Sequence, residues 1–219
     1  MSLTFPRDLP SLRIQRCNFE LQRGDVTAPE QGGRTVSVQV AEPLWRMTLQ
    51  TDIATEAEWG RWTAWADSLQ GARHAFYGYD IHRKRPRFYP NGFAGLERPA
   101  GGGAFVGDAA SWSVSSSREV LTLTGLPAAF RLTERDYIGF RWGTNRRALV
   151  RVLNESNTTA EGVGSWSIAP VLPRIIPADA TATLLNPACL MNLIPGTLQP
   201  EREGKARAIR FEAIQHLID

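Results

Sequence analysis

The sequence predicts a mainly β protein: an N-terminal β-sandwich carrying one amphipathic helix, joined to a smaller C-terminal β-barrel or sandwich domain. Three observations carry that prediction. Apolar and polar residues alternate with a period of two through most of the chain, the pattern of strands with one buried face. A single stretch, 55–70, instead has its apolar residues three and four apart, as a helix requires. In the second half, glycine- and proline-bearing turns recur at nearly even intervals between short apolar runs, as in small barrels and sandwiches. With 219 residues, 42% of them hydrophobic, the chain can bury one large core or two modest ones.

Taken in order, Leu12 and Ile14 share one parity while Cys17, Phe19 and Leu21 share the other, which predicts a bulge near Gln15-Arg16. Val36, Val38 and Val40 alternate with Thr35, Ser37 and Gln39, and Trp45, Met47 and Leu49 alternate with Arg46, Thr48 and Gln50. Both runs are expected to bury one face. The helix follows. Its stripe is Trp59, Trp62, Ala66 and Leu69, with Trp65 flanking, and is read as core packing across a sheet. Thr55 and Glu58 have the capping-box spacing, and Gly71 supplies a left-handed residue to end the helix. Two aromatic strands, Ala75-Phe76-Tyr77-Gly78-Tyr79 and Arg87-Phe88-Tyr89, are expected to flank a basic hairpin loop, His82-Arg83-Lys84-Arg85. The glycine- and proline-rich stretch 91–110 reads as an irregular connection. Strands are then predicted at 120–124, 137–142, 148–153, 165–169, 182–185 and 189–193. Past the polar Pro200-Glu201-Arg202-Glu203-Gly204, residues 206–214 alternate again and are expected to return to the first sheet. The predicted division is a domain of residues 1–112, completed by 205–219, and an outer barrel-like domain of residues 113–204.

The search for chemistry points away from an enzyme. Gly102 to Gly107 has the glycine spacing of a phosphate loop, but Asp108 stands where the lysine belongs and would repel phosphate. His74, His82 and His216 lie out of helical reach of one another and of the two cysteines, Cys17 and Cys189, so no metal or cysteine–histidine pattern forms. Glu56 and Glu58 favour a helix dipole, Glu201 and Glu203 sit in a charged loop, and Asp136 reads as a turn residue. No cofactor is expected. A net charge of +3 is too small for a dedicated nucleic-acid binder. The chain shows no secretory signal and no membrane-length apolar run, so a cytoplasmic origin with free thiols is expected, and Asn154 and Asn157 mark polar turns. The basic residues His82, Arg83, Lys84, Arg85 and Arg87 have two readings: a solvated hairpin tip, or a contact with an acidic neighbouring subunit or passing DNA.

Several short motifs resemble the distal tail (tail hub) proteins of long-tailed, non-contractile bacteriophages. They are Leu69-Gln70-Gly71-Ala72-Arg73-His74-Ala75-Phe76-Tyr77-Gly78-Tyr79-Asp80 after the tryptophan-bearing helix, Leu123-Thr124-Gly125-Leu126-Pro127, Asp136-Tyr137-Ile138, Pro170-Val171-Leu172-Pro173-Arg174 with Pro177-Ala178-Asp179, Asn186-Pro187-Ala188-Cys189-Leu190-Met191, and Phe211-Glu212-Ala213-Ile214. Arg135 departs from the family pattern, which would place glycine before Asp136. The resemblance implies a β-sandwich that assembles side by side into a six-fold ring at the distal end of the tail tube. A smaller β-domain would project outward. Its partners would be further copies of itself, the tail-tube protein and the tail-tip or baseplate proteins. DNA would be passing cargo only, the protein would sit in the virion tail after assembly in the host cytoplasm, and contact with a host glycan stays open.

Two other readings stand beside this one. A tail-tube or tube-terminator protein would also be β-rich and multimeric. A carbohydrate-binding module would hold exposed aromatic platforms, for which Trp112, Trp142 and Trp166 are the candidates. The shared parity of Trp142 with Ile138 and Phe140 argues for its burial.

Overall fold

The computed structural model describes residues 3–10, 14–29, 33, 35–52, 54–203 and 206–217. Leu12 and Gly204, named in the readings above, and the outer ends of the predicted segments 1–112 and 205–219 lie outside these residues. The protein is mainly β. In chain order the elements are β1 (Arg7–Asp8), β2 (Ile14–Pro29), β3 (Thr35–Thr51), α1 (Glu56–Ser68), β4 (Phe76–Gly78), β5 (Ser111–Val114), β6 (Val120–Thr124), β7 (Arg131–Leu132), β8 (Tyr137–Trp142), β9 (Arg146–Val152), β10 (Ser156–Asn157), β11 (Gly164–Ala169), β12 (Thr181–Thr183), β13 (Cys189–Leu193), β14 (Gln199–Glu203) and β15 (Ala206–Gln215).

The chain forms two compact units, Met1–Leu9 with His74–Met191 and His216–Asp219, and Pro10–Arg73 with Asn192–Gln215. This differs from the predicted boundary at 112/113. The reason lies in the glycine-rich connection, whose aromatic residues are core rather than linker. Tyr89 stacks on Phe130 at 4.3 Å, and Phe93 and Phe105 meet the same ring at 6.0 and 5.3 Å. Aromatic rings of this size bury enough surface to draw their backbone into the neighbouring core.

In the unit of 10–73 and 192–215, β14, β15, β3 and β2 lie side by side in that order, all antiparallel. The register stacks apolar side chains in rows on one face. Cys17, Leu49 and Phe211 form one row, and Phe19, Met47 and Ala213 the next. Leu49, Phe211, Met47 and Ala213 are fully buried. The ladder shifts between Ile14 and Arg16, the bulge that the parity change at Gln15-Arg16 predicts. Among the described residues, the layer over this face within the unit is α1, not the second sheet of the expected sandwich. Trp62 and Trp65 lie against Phe211 with ring centroids 6.3 and 5.6 Å apart. Each such side chain taken from water contributes roughly 1.5–3 kcal/mol.

The capping box is formed. The Thr55 hydroxyl accepts the Glu58 N–H, and the Glu58 carboxylate accepts the Thr55 N–H at 2.9 Å. The stripe needs one correction. Trp62, Trp65, Ala66 and Leu69 are buried, whereas Trp59 is only half-buried. Positions i, i+3, i+4 and i+7 counted from 62 share one face, and 59 falls at its rim. Gln70 (φ +52°) takes the left-handed position directly after the helix, with Gly71 (φ +70°) following it.

Beyond this sheet, β2 and β3 continue as a two-stranded ribbon. Val26 pairs with Val38 and Ala28 with Val36, past register shifts at Gly24. At that bend the ribbon's strands approach so closely that a Cβ on Gly24 would meet the Ala41 Cβ at 2.8 Å, which excludes a side chain there.

The other unit holds a six-stranded sheet ordered β12-β8-β9-β11-β6-β5 around an apolar cluster that includes Leu121, Leu123, Phe140, Val150 and Trp166. No ladder closes it into a barrel among the described residues. The segment leading into the edge strand β5 meets the other edge strand, β12, at a bridge of Asp108 with Thr183, beside which the Ala109 N–H donates to the Ala182 carbonyl at 2.9 Å. Within this unit β1 runs parallel to β4, and Cys189–Met191 of β13 runs antiparallel to it. Residues 87–89, expected as a strand, form a turn, so the basic segment is not a hairpin tip. Pro86 and Pro90 bracket it, and proline cannot donate to a ladder. Conversely β14, expected as a polar loop, is a strand paired with β15.

Candidate interaction surfaces

The basic segment is a built loop held from beneath by one carboxylate. Asp136 is buried and accepts four donors. Its Oδ2 takes the Thr133 N–H at 2.8 Å and the Thr133 hydroxyl at 3.2 Å. Its Oδ1 takes the Arg87 N–H at 2.9 Å and the Arg83 guanidinium at 3.4 Å. Burial pushes this carboxyl above its ordinary range, and the Thr133 and Arg87 donors and the Arg83 charge oppose that rise. Asp136 is therefore more than the turn residue its position suggested: it ties the loop to the start of β8. Arg135, where the tail-hub pattern expects glycine, sits at φ +69°. This is the left-handed region that glycine enters most readily.

Above this anchor the charged side chains separate in role. Arg83 is half-buried and engaged, while His82, Lys84, Arg85 and Arg87 are exposed. The Asp80 carboxylate accepts the His82 N–H at 2.9 Å, the Arg85 guanidinium donates to the Pro90 carbonyl at 3.1 Å, and Lys84 lies 5.5 Å from the centre of the Tyr79 ring. Residues 81–87 and Pro90 line an open depression of about 400 Å³. The result is a fixed cationic rim, able to hold an acidic surface or a phosphate backbone by charge.

The second surface is the ribbon. The alternation of Val36, Val38 and Val40 predicts a buried face, yet these valines are 41%, 55% and 65% exposed, and Val26 is 55% exposed. The sequence writes a buried-strand pattern onto a ribbon that no described residue of the unit covers. A two-stranded ribbon is marginal in water on its own, and contiguous exposed apolar side chains mark binding surfaces.

The aromatic candidates sit elsewhere. Trp166 is fully buried, with its indole N–H donating to the Ser156 carbonyl at 3.2 Å. Trp112 donates to the Ala180 carbonyl at 2.6 Å and meets Phe140 edge-on, and Trp142 packs against the same core. None of the three forms an open platform. Trp59, Trp62, Ala66 and Leu69 belong to the helix and its packing. Among the described residues no group of three or more His, Cys, Asp or Glu could hold a metal ion, and no helix is long and apolar enough to cross a membrane. Cys189 is fully buried and its thiol is pushed far up by desolvation, whereas Cys17 is half-buried.

No protein-family model matches the chain, and no curated protein matches it.

Proposed function

We propose that this chain is a non-enzymatic structural component of a phage tail that assembles with copies of itself into a ring, six-fold, at the distal end of the tail tube. In this reading the ring joins the tube to the tail tip or baseplate and lets DNA pass. The observation that carries self-assembly is the ribbon of β2 and β3, whose paired Val26 and Val38 and flanking Val36 and Val40 are patterned for burial and left exposed. A neighbouring copy covers them, and the ribbon's unpaired strand edges offer backbone groups for β-augmentation. The tail assignment rests on the motif resemblance, from which Arg135 departs. The exposed Lys84, Arg85 and Arg87 are then the contact for an acidic neighbour or for DNA in transit. In the same reading the unit of 10–73 and 192–215 acts as the sandwich-like belt and the six-stranded sheet of the other unit as the barrel-like outer domain.

Light scattering on the purified full chain tests this. A closed oligomer whose mass stays fixed over a range of concentrations supports the proposal. A monomer at every concentration, including the millimolar range, would overturn self-assembly through the ribbon.

A further inference from the structure

Outside both surfaces, the turn end of the β8–β9 hairpin carries an arrangement that the fold does not need. Arg141 on β8 and Arg147 on β9 are directly opposed in the ladder, and Thr181 on β12 is directly opposed to Arg141 from the other side. Residues paired this way point to the same face of the sheet, so a hydroxyl and two guanidiniums form one cross-strand row. The same three residues line a basin of about 440 Å³, together with Trp142, Gly143 and Asp179. Basins of this size accommodate ligands on the scale of a sugar unit.

Two like charges directly opposed in a ladder are destabilising unless something neutralises them. Arg141 is half answered, by Asp108 at 2.6 Å. Arg147 meets no carboxylate within ion-pair distance among the described residues. Its guanidinium donates to the Arg146 carbonyl at 2.9 Å and lies 5.3 Å from the Tyr77 ring centre. Burial holds Arg147 below its ordinary value, against the opposing effect of Tyr77, and Arg141 adds a smaller push in the same direction as burial. The hairpin tip is nevertheless fixed in place: Asn145 donates to the Phe5 carbonyl at 3.2 Å and accepts from the Tyr77 hydroxyl at 3.4 Å. The two arginines are thus presented from adjacent strands whose connecting turn is held in place. Asp179, the acidic member of the lining, lies beyond ion-pair distance of both arginines.

The geometry points to a binding site for an acidic sugar, its oxyanion held between Arg141 and Arg147 with the Thr181 hydroxyl, and its hydroxyls donating to the Asp179 carboxylate. Arginine forks match oxyanions with two parallel hydrogen bonds, and a carboxylate set apart from them favours a ligand that brings hydroxyl donors over a bare anion. This site is independent of ring formation and of the ribbon.

Calorimetric titration of the full chain with glucuronate, glucose and inorganic phosphate tests it. The expected result is saturable binding of glucuronate at one site per chain, weaker binding of phosphate and none of glucose. Arg147→Gln should weaken glucuronate by at least about tenfold, as loss of a hydrogen bond to a charged group does. The exposed Arg174→Gln should leave it unchanged. Asp179→Asn should weaken glucuronate and strengthen phosphate. Because Arg147→Gln removes a repulsion, its unliganded melting temperature should not fall, which separates lost binding from lost folding. No saturable binding of glucuronate, or equal binding by Arg147→Gln, would overturn the site. Phosphate binding as tight as glucuronate, unaffected by Asp179→Asn, would overturn the sugar and leave an adventitious ion only.

Discussion

Replacing both Val26 and Val38 by lysine asks whether the ribbon is the seam between copies. The two valines are directly paired and each is 55% exposed. Fully burying a valine contributes about 1.5–3 kcal/mol, so covering the exposed half of each contributes about 1 kcal/mol, and the pair about 2 kcal/mol. Opposed ammonium groups add a like-charge cost on top of that loss. At 1.4 kcal/mol per tenfold, the concentration at which copies assemble should rise by about 30-fold or more. Neither valine belongs to the rows under α1, so far-UV circular dichroism and the melting temperature should change little. The assay is light scattering or sedimentation across a dilution series of both proteins. An assembly midpoint within about threefold of the natural chain, a difference inside the usual error of such sums, would refute the argument.

Three further outcomes follow from the described contacts. Asp136→Asn leaves an amide N–H₂ facing a backbone or guanidinium donor and should destabilise the protein by about 1–3 kcal/mol in denaturant titration. Burial raises the Asp136 carboxyl above 3.8, so its contribution is complete below the unfolded value and is lost as pH rises through the folded one. The gap between the natural chain and Asp136→Asn should therefore narrow from about pH 4 towards neutrality, and a widening gap would contradict the burial argument. Thr55→Ala removes the helix cap and should cost about 1 kcal/mol, measured by thermal melting. Cys189 is fully buried with its thiol pushed up, so a thiol reagent should leave it unmodified until the protein unfolds, with Cys17 reacting first, as peptide mapping after brief labelling would show.

Local periodicity carried much of the fold. Strands β6, β8 and β13 lie where alternation placed them, and the bulge before Arg16 was written in the parity change from Ile14 to Cys17. The capping box and one tryptophan face needed only spacing. What sequence could not give was which side chains the tertiary fold would cover. Val36, Val38 and Val40 read as buried because a strand's pattern records the environment it is suited to, whether its cover comes from its own chain or another. The boundary near 112 misplaced Tyr89, Phe93 and Phe105, because glycine and proline signal an irregular backbone, and irregular backbone can still seat core rings. Asp136 carried no signal of burial, since its donors at Arg83, Arg87 and Thr133 come from a turn of the same chain and from a loop some fifty positions away. The row of Thr181, Arg141 and Arg147 exists only once three strands are in register. Turn motifs such as Asp136-Tyr137-Ile138 carried the resemblance, and nothing in the sequence marked Arg135 as left-handed.

The most direct test of the central claim is cryo-electron microscopy of the assembled full chain. The account predicts a closed ring with a central channel, in which residues 24–28 and 35–41 lie against the neighbouring copy. A ring with that ribbon bare to solvent, or particles of single chains only, would contradict it.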